Sequence, residues 1–209
     1  DETTHFSIID AEGNRVSATQ TVNLLYGSGL VAPGTGVLLN NEMDDFALRP
    51  GTPNAFGVMG FEANAPKAGK RMLSSMTPSF IESKDKVAAI GAPGGSRIIT
   101  EVLLGILGYD DGLSSQQVAA LPRIHHQWMP DLIEMETEAL SPATQQTLEA
   151  MGHRFKVPGN SAQGGRGSSH VWGNLQTVEW DKTTNTLMGG SDPRNPVGAA
   201  KVVESAPSP

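Results

Sequence analysis

Two residues into the chain begins the segment Thr3-Thr4-His5-Phe6-Ser7-Ile8-Ile9. Its alternating side chains and β-branched residues predict a strand, residues 10–14 (DAEGN) predict a turn, and residues 15–22 predict a returning strand. A strand that is paired in a sheet holds its first residue rigidly, whereas a free terminus would fray. The sequence therefore predicts a hairpin that keeps Thr3 at a fixed place in the domain.

A threonine near a chain start can have a chemistry that an internal threonine lacks. When the bond before Thr3 is cut, its freed α-amine lies a few atoms from its hydroxyl and can act as the base for it. An α-amine titrates at roughly pH 7.7 to 8.0, which suits a base at physiological pH. A lone Thr-Thr pair is more often two ordinary strand residues, so this assignment depends on the motifs downstream.

The composition favours one globular domain and argues against several classes of partner. A chain of 209 residues with 38% hydrophobic content can bury a sizeable core. The net charge of −7, with no basic stripe, argues against nucleic-acid binding. The absence of cysteine excludes a disulfide framework and a thiolate zinc site. No apolar run reaches about 18 residues, so we expect no membrane span.

The order of the predicted elements favours a layered α/β domain. After the hairpin, the strands are predicted at residues 37–40, 79–82, 87–90, 171–180 and 186–190, with a long loop at 47–72. An apolar run at helical spacing follows residues 93–96 and predicts a buried helix capped by Ser96. Shorter helices are predicted to open at Ser114 and Ser141. Residues 1–204 are assigned to one domain and residues 205–209 to a disordered tail.

Several motifs in a fixed order carry a family resemblance. In chain order they are Thr3-Thr4-His5, Thr21, Asn23, NEMDDF at residues 41–46, Ser74-Ser75 and PGGSRIIT at residues 93–100. From Thr3 to about Arg194 the chain resembles the small subunit of γ-glutamyltransferase (γ-glutamyltranspeptidase), an N-terminal-nucleophile hydrolase. The resemblance implies a four-layer αββα sandwich, completed by a large subunit that autocatalytic cleavage releases from the same precursor. It also implies a heterodimer that needs no cofactor and lies in the periplasm or outside the cell.

The resemblance implies a role for each matched residue. Thr3 is the nucleophile, Thr21 orients it, and Gly94 and Gly95 are the oxyanion-hole glycines. The residues matched to substrate binding are Asn23, Glu42 and Asp45 for the α-amino group, Ser74 and Ser75 for the α-carboxylate, and Phe56 in the covering loop. The implied reaction is hydrolysis and transfer of γ-glutamyl groups, from glutathione to water or to an amino acid or peptide acceptor, through a γ-glutamyl-Thr3 ester.

Two features depart from the family pattern. The implied cleavage falls immediately before Thr3, yet Asp1-Glu2 precede it, and with Glu2 attached the Thr3 nitrogen is an amide that cannot serve as base. We expect either an unprocessed or misprocessed form, or a mature start at Thr3 instead of Asp1. Phe56 stands where many bacterial relatives carry a tyrosine, so a hydrogen bond that closes the lid is lost and appreciable hydrolysis is expected beside transfer.

Other functions remain open from the sequence alone. One is a cephalosporin or glutaryl acylase of the same superfamily, and another is a processing-defective homologue that acts as a binding protein. The histidines lack metal-ligand spacing, because His125 and His126 are neighbours that point to opposite faces of a strand. The Gly-rich run at residues 164–167 lacks the ending of a phosphate loop. We therefore expect neither a metal site nor a nucleotide site.

Overall fold

The computed structural model describes residues 3–156 and 172–203. Its strands are β1 (Thr4–Ile9), β2 (Arg15–Gln20), β3 (Ser79–Glu82), β4 (Lys86–Gly91), β5 (Ile124–His125), β6 (Glu134–Met135), β7 (Gln176–Asp181) and β8 (Thr186–Ser191). Its α-helices are α1 (Ile98–Asp110), α2 (Ser115–Ala120) and α3 (Pro142–Ala150), and short 3₁₀ turns lie at Glu42–Asp45, Glu62–Asn64 and Gly95–Arg97.

An antiparallel sheet of four strands, in the order β3-β4-β7-β8, forms the centre of the domain. Strand β4 reads KVAAIG and is buried from Val87 to Gly91, because both of its faces are covered. On one face, Ile90 packs with Ile98 and Val102 of α1 in the main hydrophobic core. Helix α1 can approach closely because a Cβ at Gly105 would lie 2.5 Å from Ile90 Cδ1. This packing fixes the start of α1 relative to the sheet.

The β1–β2 hairpin forms a second sheet layer on the opposite face of the central sheet. Its residues alternate: His5 is buried against the sheet, whereas Phe6 and Ile8 point outward and are 42% and 50% exposed. The His5 ring lies so close to Gly91 that a Cβ there would meet His5 Cε1 at 2.2 Å. The described elements thus form three layers, helices on sheet on hairpin, with Thr3 held at the start of the hairpin.

Most of the predicted elements are confirmed, with shifted ends. The hairpin forms as predicted, although β2 ends at Gln20. Residues 47–72 form a long loop with only the turn Glu62–Asn64 in it. The last two strands are present, and Val171, the predicted start of the first, lies outside the described residues, as does the predicted tail at residues 205–209. Within the described ranges, no helix is long and apolar enough to span a membrane.

Two local predictions are wrong. The predicted strand at residues 37–40 is only a single bridge, Val31 to Leu38, because the chain turns back on itself in a short exposed loop. Ser96 does not cap α1, since it lies inside the turn Gly95–Arg97 and the helix begins at Ile98 with no side-chain cap. The Ser96 hydroxyl instead donates to the side chain of Gln127 at 2.7 Å.

Candidate active site

The hairpin brings the two predicted catalytic threonines together. Strand pairing places Thr4 opposite Gln20, so Thr3 and Thr21, one residue beyond each strand end, lie side by side. Thr3 Oγ1 donates a hydrogen bond to Thr21 Oγ1 at 3.0 Å. Thr21 Oγ1 also accepts the backbone N–H of Asn23 at 2.8 Å. These two donors fix the Thr21 hydroxyl, and through it the position of the Thr3 hydroxyl.

Asn23 links the threonine pair to the acidic segment. It is 4% exposed and has a left-handed φ of 76°, which asparagine tolerates better than most residues. Its Nδ2 donates to the carbonyl of Asn41 at 3.2 Å, directly before the turn Glu42–Asp45. None of the described residues donates a hydrogen bond to Asn23 Oδ1. This oxygen can therefore accept a hydrogen bond from a bound molecule.

Two half-buried carboxyls meet at the next turn. Residues three apart in a 3₁₀ turn eclipse each other, so the turn Glu42–Asp45 places both end carboxyls on one side. Burial, followed by the charges of Glu42 and Asp44, raises the pKa of Asp45 to about 6. Burial also raises the pKa of Glu42. Within the described ranges neither group forms an ion pair with a cation of the protein, so this corner has an uncompensated negative charge when both ionise.

Nine of the predicted site residues line one narrow cavity of about 20 Å³. They are Thr3, Thr21, Asn23, Glu42, Asp45, Phe56, Ser74, Ser75 and Gly95. Gly94 is the exception, since it lines a larger cavity of about 640 Å³ that shares only Thr3 with the narrow one. The narrow cavity has room for little more than water. Phe56 must therefore shift before a larger molecule can occupy the narrow cavity, whereas Thr3 also faces the larger one.

The backbone at Gly94 and Gly95 adopts angles that only glycine takes readily. Their φ values are 151° and 61°. A Cβ at Gly95 would lie 2.6 Å from Phe56 Cδ1, so the phenyl ring packs directly on this glycine. As the first residues of the turn that enters α1, they have N–H groups without an intrahelical acceptor, at the positive end of the helix dipole. Such a segment can stabilise a developing oxyanion next to Thr3.

Ser74 and Ser75 complete the polar wall. Ser74 Oγ accepts the N–H of Met76 at 3.2 Å, which leaves its own proton available to an incoming acceptor. The carbonyl of Ser75 accepts the hydroxyl of Thr77 at 2.8 Å and so fixes this backbone. Asp44, by contrast, does not line the cavity, and its carboxylate accepts the N–H of Ala55 at 3.0 Å.

Sequence reasoning missed a buried ionic cluster behind the glycines. Glu101 of α1 is 3% exposed and lies 2.9 Å from Arg123, which also pairs with Asp192. A Cβ at Gly94 would lie 3.4 Å from Glu101 Oε2. Burial raises the pKa of Glu101 well above its usual value. The signal was present in the sequence, because a glutamate inside the apolar run RIITEVLLGIL requires a buried partner.

Sequence reasoning also missed Gln127, because no local pattern predicts which loops a lone glutamine joins. Its amide contacts both the segment that carries Phe56 and the turn after Gly94. Next to it, His125 is 5% exposed whereas His126 is exposed and pairs with Asp131. The expectation that these two histidines face opposite sides is confirmed.

Comparison with known proteins gives consistent matches. A family model described as gamma-glutamyltranspeptidase matches residues 1–202. The glutathione hydrolase proenzyme of Pseudomonas sp. (strain A14) is 49% identical over 158 residues, which are 75% of this chain and 28% of that protein. The glutathione hydrolase proenzyme of Escherichia coli (strain K12) is 42% identical over 196 residues, which are 93% of this chain and 32% of that protein.

Solved structures agree on the fold. A mutant of gamma-glutamyltranspeptidase from Pseudomonas nitroreducens superposes with a TM-score of 0.80 at 42% identity, covering 97% of this chain and 100% of that chain. Cephalosporin acylase from Bacillus halodurans, at 23% identity and a TM-score of 0.65, covers 91% of this chain and 32% of that chain and shares the fold alone. The predicted fold class, the four-layer αββα sandwich of N-terminal-nucleophile hydrolases, is confirmed, and the three layers described above are this chain's part of it. The chain spans about a third of the length of the glutathione hydrolase proenzymes it matches.

Proposed function

Since this chain belongs to the gamma-glutamyltranspeptidase family, we propose that it is the small catalytic subunit of a γ-glutamyltransferase and glutathione hydrolase. One observation carries the proposal: a single cavity joins a hydrogen-bonded threonine pair to two carboxyls that have no cationic partner among residues 3–156 and 172–203. A γ-glutamyl group would bring an ammonium to those carboxyls and a carbonyl to the threonine. The larger protein to which the chain belongs would transfer this group to water or to an amine.

Thr3 is the proposed nucleophile. Its Oγ1 attacks the γ-amide carbon of the substrate, and its own α-amine, once freed, takes the hydroxyl proton. The N–H groups of Gly94 and Gly95 stabilise the oxyanion. The C–N bond then breaks, the leaving amine receives the proton, and a γ-glutamyl-Thr3 ester remains. Water or an acceptor amine attacks this ester in the second half of the reaction and regenerates the Thr3 hydroxyl.

Both charged groups of the glutamyl unit, its ammonium and its α-carboxylate, are proposed to be recognised. Glu42 and Asp45 face the substrate ammonium, and Asn23 Oδ1 accepts a further hydrogen bond from it. Ser74 and Ser75 donate to the α-carboxylate. The charge balance supports this orientation, because an ammonium would offset the burial and the charges of Glu42 and Asp44 that together raise the pKa of Asp45. Phe56 closes the site over Gly95.

Maturation is proposed to use the same hydroxyl. Thr3 attacks the carbonyl of the residue before it, the amide becomes an ester, and hydrolysis of that ester frees the Thr3 amine. The cleavage yields this subunit and a large subunit from one precursor, and the heterodimer is proposed to be periplasmic or extracellular. Asp1 and Glu2 lie outside the described residues. Cleavage before Thr3 is therefore a proposal that rests on the family and on the Thr3–Thr21 contact.

The two alternatives suit the cavity less well. A glutaryl side chain has the same carboxylate for Ser74 and Ser75 but lacks the α-amine. Glu42 and Asp45 would therefore remain half-buried without an ammonium to balance their charge. A binding protein without catalysis has no use for a hydroxyl pair placed at 3.0 Å. Both alternatives are nevertheless separable from the main proposal by experiment.

The test compares two substrates on the complete gene product. We expect release of p-nitroaniline from γ-glutamyl-p-nitroanilide and little from glutaryl-p-nitroanilide, which differs only in lacking the α-amino group. A preference for the glutaryl compound would support the acylase instead. Thr3→Ala should abolish both release and precursor cleavage, and Thr4→Ala serves as the control for the neighbouring exposed hydroxyl. Activity that survives in Thr3→Ala would contradict the proposal.

A further inference from the structure

The side chain of Gln127 lies where two loops of the active site meet. Its Nε2 donates to the carbonyls of Gly57 at 3.1 Å and Phe56 at 3.4 Å, in the segment that covers the cavity. It also donates to the carbonyl of Met129 at 3.1 Å. Its Oε1 accepts the hydroxyl of Ser96 at 2.7 Å, in the turn that follows the two glycines. One amide group therefore connects the segment that carries Phe56 to the turn Gly95–Arg97.

The orientation of this amide is fixed by a buried histidine. His125 Nε2 lies 2.9 Å from Gln127 Oε1, and His125 Nδ1 lies 2.8 Å from Thr100 Oγ1 in α1. A carbonyl oxygen only accepts, so Nε2 carries the proton. The unprotonated Nδ1 of the neutral ring then shares the single Thr100 hydroxyl proton with the Arg97 carbonyl, which lies 3.0 Å from Thr100 Oγ1. Burial lowers the pKa of His125 and favours this neutral form. With two donors facing Oε1 and carbonyls facing Nε2, the amide cannot flip without losing hydrogen bonds.

The segment that Gln127 contacts is a small turn closed by its own hydrogen bonds. Asn54 Oδ1 accepts the N–H groups of Phe56 and Val58, both at 3.0 Å, so residues 54–58 form a closed turn. This turn presents the carbonyls of Phe56 and Gly57 to Gln127 and the phenyl ring of Phe56 to Gly95. Breaking the contacts to Gln127 would free the ring to leave the glycine.

We propose that Gln127 is a positioning residue that latches the Phe56 segment closed over Gly95 and thereby limits the access of water to the acyl-enzyme. The inference rests on the proposed function, because it concerns the fate of the γ-glutamyl-Thr3 ester. Phe56 must shift for a group larger than water to occupy the 20 Å³ cavity that joins Thr3 to Glu42 and Asp45, and the contacts of Gln127 hold the Phe56 segment in its closed position. A loosened segment favours hydrolysis, since water needs only a transient gap whereas an acceptor amine needs a formed pocket to orient it.

The experiment measures the ratio of free glutamate to γ-glutamyl-glycylglycine, at fixed donor, glycylglycine and pH, with the complete processed protein. Gln127→Met keeps the length of the side chain but removes its donor, and we expect the ratio to rise roughly two- to tenfold. Gln127→Glu keeps the oxygen that accepts from Ser96 and His125 but turns an acceptor towards the loop carbonyls, so we expect at least the same rise. A ratio of products does not depend on how much enzyme has folded.

Two further variants separate positioning from a general disturbance. Gln145→Met makes the same chemical change on exposed helix α3, where the side chain bonds only Glu149, and it should keep the wild-type ratio. Phe56→Ala should raise the ratio by itself, and adding Gln127→Met to it should change little, because both act through one ring.

The outcomes are distinct. Wild-type ratios in Gln127→Met and Gln127→Glu, or full additivity with Phe56→Ala, would overturn the latch and leave the proposed function intact. A wild-type protein that releases no glutamate from the donor would instead refute the proposed function, and the latch with it.

Discussion

Asp45 is the residue on which recognition depends most. Its half-buried carboxyl lies beside Glu42 and Asp44, and burial together with these charges raises its pKa to about 6. The folded protein thus holds this proton more tightly than the unfolded chain does. The corresponding stability is present below the usual pKa of 3.8 and is lost as the pH rises through about 6. At neutral pH the ionised group destabilises the empty site, and a bound ammonium would compensate for it.

Asp45→Asn should separate binding from stability. It keeps the shape but removes the charge, so we expect the KM for γ-glutamyl-p-nitroanilide to rise roughly 10- to 100-fold. We expect the melting temperature at pH 7.5, without substrate, to rise as well. In the wild type, KM should also fall as the pH increases through about 6, and this dependence should vanish in the variant. Asp85→Asn, in the exposed turn before β4, is the control. An unchanged KM in Asp45→Asn would remove the ammonium site from the account.

Phe56→Tyr tests the ring that covers the same cavity. The phenyl ring packs on Gly95 and lines the cavity with Asn23 and Asp45, so a hydroxyl there would enter polar surroundings. We expect it to stabilise closure and to shift the products from glutamate towards γ-glutamyl-glycylglycine at fixed acceptor and pH. An identical product ratio would mean that the ring edge does not control the access of water.

The β1–β2 hairpin shows what the sequence could and could not predict. Alternation of side chains over residues 4–9 predicted the strand, and the turn residues at 10–14 predicted its return, because both signals are local. The contact of His5 with Gly91 was not predictable, since it joins segments far apart in the chain. The Ser96 cap failed for a similar reason: Gln127, distant in sequence, supplies a better partner for its hydroxyl than the helix end. The site residues came from ordered motifs, whereas Gln127 and the identity of Arg123 as the partner of Glu101 required the fold.

Gly91→Ala tests whether the hairpin is seated on β4 through His5. A methyl group there would collide with the ring at 2.2 Å, and overpacking of this kind costs about 1–3 kcal/mol. We expect the free energy of unfolding in urea to fall by that amount and activity to fall with it, because Thr3 is carried by β1. In the double variant with His5→Ala, the space for the methyl group is free. We therefore expect its free energy of unfolding to fall by less than the sum of the two single changes. Simple additivity would show that the contact does not hold the hairpin.

The three layers leave apolar side chains on both outer faces. Phe6, Ile8 and Val16 lie exposed on the hairpin, and Ile99, Leu103 and Leu107 form an exposed row on α1, each 42–51% accessible. Apolar faces of this kind are usually covered in the complete protein. Because the chain spans about a third of its relatives, a large subunit from the same precursor is the proposed cover.

Thr3, as a free N-terminal residue, is proposed to form a γ-glutamyl ester. This ester can be detected by intact mass spectrometry of the complete gene product, quenched in acid during turnover of γ-glutamyl-p-nitroanilide. We expect a subunit that begins at Thr3, together with a second species heavier by one γ-glutamyl group, which peptide mapping localises to Thr3. A subunit that is never cut before Thr3, or an adduct on any other residue, would contradict the account.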